Sequence, residues 1–340
     1  MNLNIVRPPI TTMPQYTDLL STILCYENGV NWYYNNYIQL FTDYRYRDYG
    51  EIKFRDDFFS LNNINSSFSY RCNPFILSLQ TIEDITLIIE SSSIIPYFKE
   101  LINNKYYIIP YVDTHYINNE IRKGSIHAVL FYGYSDTTFK TADFTSNGKY
   151  GINEIKSSDV ERLYTRKYEL PNFIECENRV VAFSLKNADY WFDLEVVKRQ
   201  FSDYLYEVNT TDSYECIKYF ESNEPKMQWG MGCYSCLISY YKSSIADERR
   251  YIDLRGLYAL CDHKIAMMDR MKYMLKQKFL EDKSVLLELS NVLDNLRTGL
   301  NMTIKFNLTH NDEFIVKAVD LLSKTYEHEK RIMERVMKAL

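Results

Sequence analysis

A chain of 340 residues, 46% hydrophobic and 25% charged, is long enough to bury one substantial core and has room for two. Its 40 Lys and Arg against 45 Asp and Glu leave a formal net charge of -5 with no long basic run, which excludes the electrostatic footprint of tight nucleic-acid binding. The 31 Tyr and 18 Phe stand against only 10 Gly: no G-x-S-x-G elbow and no G-x-x-x-x-G-K-[ST] loop exists, and Gly230-Met231-Gly232 lacks the third glycine of a dinucleotide fingerprint. Serine hydrolase, P-loop NTPase and standard Rossmann functions are thereby set aside. Residues 1–15 have no apolar h-region and nowhere do about 18 apolar residues run together, so the expectation is a cytoplasmic protein with no membrane span. Seven scattered cysteines, an odd number, read as reduced thiols rather than a disulfide framework.

In chain order, the first two thirds mix helical patches with short β-branched and aromatic runs. Helices are expected over 25–40, part of 81–103, 157–165 (Ser157 and Ser158 as candidate caps) and 192–207. Residues 105–117, 126–134, 138–144 and 178–185 read as strands of a central antiparallel sheet. From Tyr251 only helical spacing remains. Leu254, Leu257, Cys261, Ile265, Met268, Met271 and Leu275 mark a first helix, 283–306 a second and 312–338 a third, the last opened by Asn311 as cap. The expectation is an α+β fold over 1–207, a connecting region over 208–250, and an antiparallel helical bundle over 251–340 packed on the first part.

Of five histidines, His310 and His328 sit in polar surroundings that read as solvated surface, and His263 fits a helix face. His127 opens a strand whose hairpin partner ends in Asp143. A loop centred on Ser135 would set 127 and 143 directly opposite, whereas a two-residue loop at Ser135-Asp136 would pair His127 with Phe144. A carboxylate beside an imidazole fixes its tautomer and stabilises the imidazolium, which is the oriented base of a nucleophilic triad. Cys25, expected at the start of a helix, would feel the positive end of the macrodipole and form thiolate beside His127.

The order Cys25, His127, Asp143 resembles the papain-like fold in its bacteriocin-leader-peptidase (C39-like) branch, and within it the family of the butirosin biosynthesis protein H N-terminal domain. The resembling stretches are CYENGVNWYYNNYIQLF from Cys25, YIIPYVDTHY from Tyr107, HAVLFYGYSDTTFKTAD from His127 and DLRGLYALCDHKIAMMDRMKY from Asp253. The resemblance implies Cys25 as nucleophile, His127 as general base and acid, and Asp143 as orienting residue. It implies an acyltransferase that takes an acyl or peptidyl group from a carrier-protein thioester, through a Cys25 acyl-enzyme, to an amine or diamine. The family likeness extends to antibiotic assembly by condensation of thioamide-containing nonribosomal peptides with a diamine, as in closthioamide. No metal, nucleotide or redox cofactor is implied; the acyl donor would ride on a carrier-protein phosphopantetheine. The alternatives are a cysteine peptidase or thioesterase, with water as acceptor, and a non-enzymatic carrier-protein docking module.

Where papain-like peptidases place an oxyanion-hole Gln five or six residues before the Cys, this chain has Leu19 and Leu20. The remaining candidates for that role are the Cys25 N–H with Gln15, Ser21 or Thr22. Asp113 and His115 are candidates to line a cleft. Cys233-Tyr-Ser-Cys236 has the spacing of half a zinc site or a redox pair, but no second pair follows and structural thiols are expected.

Overall fold

The computed structural model describes residues 1–11, 14–42, 52–54, 73–82, 93–113, 126–144, 150–165, 180–209, 228–247 and 251–340. It is a mixed α+β chain that divides into two units, one of Met1–Val30 with Tyr70–Tyr190, the other of Asn31–Ser69 with Trp191–Leu340. The expected boundaries at 207 and 250 do not mark this division. Residues 31–42 and the helix after residue 193 pack with the C-terminal helices, so the second unit is assembled from two stretches of chain.

The first unit is built on an antiparallel sheet of seven strands among the described residues: β3 (Ile76–Ile82), β4 (Tyr107–Asp113), β5 (Ile126–Ala128), β6 (Leu130–Tyr134), β7 (Thr138–Phe144), β8 (Tyr150–Lys156) and β9 (Val180–Leu185). The order is β3-β9-β4-β6-β7-β8, with β5 also on β4. The runs expected at 105–117, 126–134, 138–144 and 178–185 all contain strands, whereas β3 and β8 were not anticipated. Residues 114–117 lie outside the described residues. β8 was missed because Gly151, Asn153 and Glu154 dilute its β-branched content while its hairpin pairing with β7 stabilises it.

One face of this sheet is covered by α3 (Ile94–Asn103) and α4 (Ser157–Thr165). Ser93 caps α3 by accepting from the Ile95 N–H, and Ile94, Phe98, Leu101 and Ile102 recur at helical spacing on its buried face. They pack on Ile108, Val129, Phe131, Phe139 and Val180. Phe98, Phe131 and Phe139 meet edge to face, the arrangement ring quadrupoles favour. The N-terminus runs beside β6, where the Leu3 N–H donates to Tyr132 O. A Cβ on Gly133 would stand 2.9 Å from the backbone carbonyl oxygen of Met1, so the close approach of these segments favours glycine there.

α1 (Pro14–Ile23) precedes the stretch expected as one helix over 25–40, and within that stretch only α2 (Gly29–Asn35) is helical. Residues from Asn31 onward belong to the second unit, and α2 is followed by Tyr37 at φ +58, a left-handed stop. The fully buried Arg270 guanidinium donates to the carbonyls of Tyr34 at 2.5 Å and of Asn36, satisfying groups the helix end leaves open.

The second unit also holds a β1 (Leu40–Thr42) and β2 (Ile52–Phe54) hairpin pair and five helices among the described residues. These are α5 (Leu194–Leu205), α6 (Gly232–Ala246), α7 (Arg255–Lys276), α8 (Ser284–Thr309) and α9 (Glu313–Ala339). The last three are the expected bundle helices. Asp193 caps α5 by accepting from the N–H groups of Glu195 and Val196. Asn311 accepts from the Glu313 N–H, so it serves the start of α9 as the sequence led one to expect. The region expected to be a connection, 208–250, contains α6. No described helix is long and apolar enough to cross a membrane.

Candidate functional site

The site begins with α1, which packs against β7. Thr17, Asp18, Leu19, Leu20, Ser21, Thr22 and Ile23 are all buried. Two of the helix's hydroxyls bond to its own backbone: Ser21 Oγ donates to Asp18 O at 2.7 Å and Thr22 Oγ1 to Leu19 O at 2.7 Å. Both hydroxyls are thus tied to the backbone of α1, and that of Ser21 is also in hydrogen-bond reach of the Tyr150 phenol. Gln15 lies in the first turn of α1, and its side chain is outside the described residues.

Cys25 follows the end of α1 rather than opening a helix. Its N–H donates to Thr22 O at 3.2 Å and its Sγ to Ser21 O at 3.5 Å, so both donors cap the carbonyl end of α1. This corrects two expectations. The negative end of a helix disfavours a thiolate, and the N–H proposed for an oxyanion hole is already bonded. Burial pushes the Cys25 thiol above its ordinary range, and Tyr26 and Tyr107 lie within electrostatic reach of it. The side chain keeps partial exposure.

His127 sits in β5, its backbone paired with Val112 of β4, and its side chain is outside the described residues. β6 pairs with β7 as Leu130↔Ala142 and Phe131↔Thr141, with a register shift before Gly133↔Lys140. Extending the first pair by one residue sets Asp143 across from Val129. Position 127 is then two residues further along, a diagonal neighbour, and neither of the two expected registers occurs. The reason is the turn, which lies at Asp136-Thr137 with the Ser135 N–H donating to Thr138 O; the extra residue between Phe131 and Gly133 shifts the pairing one residue back toward the expected registers without reaching them. Val112 lies five residues along β4 from Tyr107, or about 17 Å of strand. Asp113 ends β4 with its backbone paired to Ile126, its side chain outside the described residues; His115 falls outside them altogether.

Asp143 is buried at 5% exposure, on the strand that α1 covers. Titratable groups near it among the described residues include Asp18, from α1, and Tyr150, from β8. Tyr150 donates from its hydroxyl to Asp18 Oδ1 at 2.8 Å, and Asp18 is 1% exposed. Burial holds the Asp18 carboxyl well above the usual carboxylate range, and the charge of Asp143 adds to that effect against the Tyr150 hydrogen bond. Burial and the Asp18 charge likewise raise the Tyr150 phenol.

What the fold brings to Asp143 from α1 is therefore Asp18, while Cys25 lies seven residues on, beyond the other end of that helix. Sequence reasoning missed Asp18 and Tyr150. A lone Asp among Leu19, Leu20 and Ile23 carried a hint, since an acid in an apolar stretch needs a partner, but that partner lies 132 residues away. Among the described residues no group of three or more His, Cys, Asp or Glu side chains is gathered to hold a metal ion.

No protein-family model matches the chain, and no curated protein matches its sequence.

Proposed function

We propose that this chain is a non-enzymatic docking module for an acyl or peptidyl carrier protein in antibiotic or nonribosomal peptide assembly, on a papain-like (C39-like) frame whose site lacks an activated thiol. The observation that carries the first half of this reading is the setting of Cys25, at the carbonyl end of α1 with a thiol that burial holds protonated. A nucleophile helix of the papain-like type would present its thiol at an N-terminus, whereas here Cys25 follows the C-terminal end of α1, and Asp18, in the middle of that helix, is the residue turned to Tyr150. The carrier-protein partner rests on the resemblance in Cys25–Phe41, Tyr107–Tyr116, His127–Asp143 and Asp253–Tyr273.

One observation favours a second reading: the Cys25 thiol retains partial exposure. On that reading Cys25 attacks a carrier-borne thioester and expels the phosphopantetheine thiol. His127 then takes a proton from an amine, or from water in a hydrolase, as it attacks the acyl-enzyme, with Asp143 orienting the imidazole.

The two readings separate on intact-protein mass spectrometry after mixing with an acyl-loaded carrier protein, with carrier binding followed in parallel. The docking module binds the carrier, gains no acyl mass, and binds equally well as Cys25→Ala. An acyl adduct present in the parent protein and absent in Cys25→Ala would overturn it and establish the acyl-enzyme; candidate amines would then divide transferase from hydrolase.

A further inference from the structure

We propose that His263 is a proton-operated latch in the second unit: a second ring proton, taken up at Nδ1 as the medium is acidified, breaks its bond with Lys264 and opens the junction where α5, α6, α7 and α9 meet. His263 and Lys264 are successive residues of α7, both at 0% exposure. His263 Nε2 stands 2.7 Å from Ile38 O, which only accepts, so Nε2 carries the ring proton. Nδ1 keeps its lone pair and accepts from Lys264 Nζ at 2.8 Å.

Lys264 Nζ also donates to the Tyr204 hydroxyl at 2.8 Å and to Glu329 Oε1. Its three protons thus meet three acceptors, one of them the imidazole lone pair. Glu329 accepts in addition from Tyr204 at 2.7 Å and from Tyr234 at 2.6 Å, so four helices are tied through one ammonium and one carboxylate. Those two charges cancel, and the set is neutral as long as the imidazole is.

A proton on Nδ1 removes that lone pair and points an N–H at the ammonium 2.8 Å away, where burial leaves the repulsion between two cations poorly screened. The groups packed around the ring add to the effect or are already engaged. Arg270 of α7 is a further cation acting on it, and the Ile38 carbonyl is served by Nε2. Tyr204 of α5 sets its ring 4.7 Å from the imidazole, Tyr234 and Cys233 of α6 act on Lys264 or its carboxylate, and Glu329 of α9 answers Lys264. Asp262, next to it in sequence, acts on Tyr33 and Cys261. Burial first, and then the Lys264 charge, hold the ring neutral well below the ordinary histidine range. In the unfolded chain the same ring takes its second proton at about pH 6.5, so the stability that neutral His263 contributes is complete above that pH and is lost as pH falls below it. Uptake of one proton on opening makes the opened form about 30-fold more favoured at pH 5 than at pH 8.

The chain's three tryptophans, Trp32, Trp191 and Trp229, all belong to the second unit, so urea unfolding of the full chain read by tryptophan fluorescence follows that unit. Extrapolated to zero urea, the folded-to-unfolded ratio of the parent is expected to fall about 30-fold between pH 8 and pH 5 relative to His263→Gln, whose amide offers Lys264 an acceptor and Ile38 a donor without titrating. A parent that follows the variant across this range overturns the latch. Nitrogen-15 NMR of the folded parent at pH 5 tests the same ring without a substitution: among the five histidines, His263 is expected as a ring still neutral, with its proton on Nε2. All five rings doubly protonated in the folded chain at pH 5 overturns the proposal, whether or not His263→Gln folds.

Discussion

Asp18 shows how much one buried side chain depends on its surroundings. Its carboxyl is 1% exposed, accepts from Tyr150, and lies in the field of Asp143; burial raises its affinity for a proton in the folded state above that in the unfolded chain. A raised folded pKa contributes stability that is fully present below the unfolded value, near pH 4, and is lost as pH rises through the folded value. Thermal unfolding followed from pH 4 to 8 should therefore show a loss of stability toward neutral pH that Asp18→Asn reduces, since the amide keeps an acceptor for Tyr150 without the charge. An unchanged pH profile in Asp18→Asn would assign the loss elsewhere. His263 shows the same logic with the opposite sign. Burial and the Lys264 charge hold it neutral; Ile38 O, which only accepts, faces Nε2 at 2.7 Å, so Nε2 carries the proton and Nδ1 accepts from Lys264.

At the scale of elements, helices and strands with clear periodicity were legible, and breaks were less so. The helix at 157–165 and the C-terminal three follow their apolar spacing closely, because each buries one face and little else competes. The stretch 25–40 misled, because Val30, Tyr33, Tyr34 and Tyr37 keep helical spacing while Tyr37 has already left the helix in a left-handed conformation. The separation of α1 from α2 moved Cys25 from a helix start to a helix end, and with it the chemistry open to the thiol. The turn into α6 is a second such case, fixed by Gly230. In Gly230→Ala a Cβ would meet Tyr204 O in a conformation L-residues avoid, and the expected cost is about 2 kcal/mol or more. Urea denaturation of the second unit measures it; a loss below a few tenths of that figure would mean the turn relaxes freely.

Across the whole molecule, each unit is closed by contacts between residues far apart in sequence. In the second unit Glu329, on α9, is fully buried and accepts from Lys264 of α7, from Tyr204 of α5 at 2.7 Å and from Tyr234 of α6. A carboxylate with donors from three helices is satisfied, but each partner is stranded without it. Glu329→Ala is expected to destabilise by about 3–5 kcal/mol, because Lys264 is left buried without its counter-charge. Calorimetry should show partial recovery in Glu329→Leu with Lys264→Met, where both charges go; no recovery would mean that the tyrosines, left unsatisfied, dominate the loss.

By itself the sequence determined the elements whose burial is periodic: the core strands β4 to β7 and β9, the helix α4 and the C-terminal bundle. It also narrowed the search for chemistry to Cys25, His127 and Asp143 by excluding glycine-based motifs. Periodicity is local, since it records which face of a segment meets apolar surroundings, and a few turns of chain suffice to show it. Only the tertiary structure decided which polar groups share those surroundings. That Asp18 meets Tyr150, and that Glu329 gathers Lys264, Tyr204 and Tyr234, follows from helix docking between residues 65 to 132 apart. A one-residue shift at the Phe131–Gly133 irregularity is enough to change such a pairing.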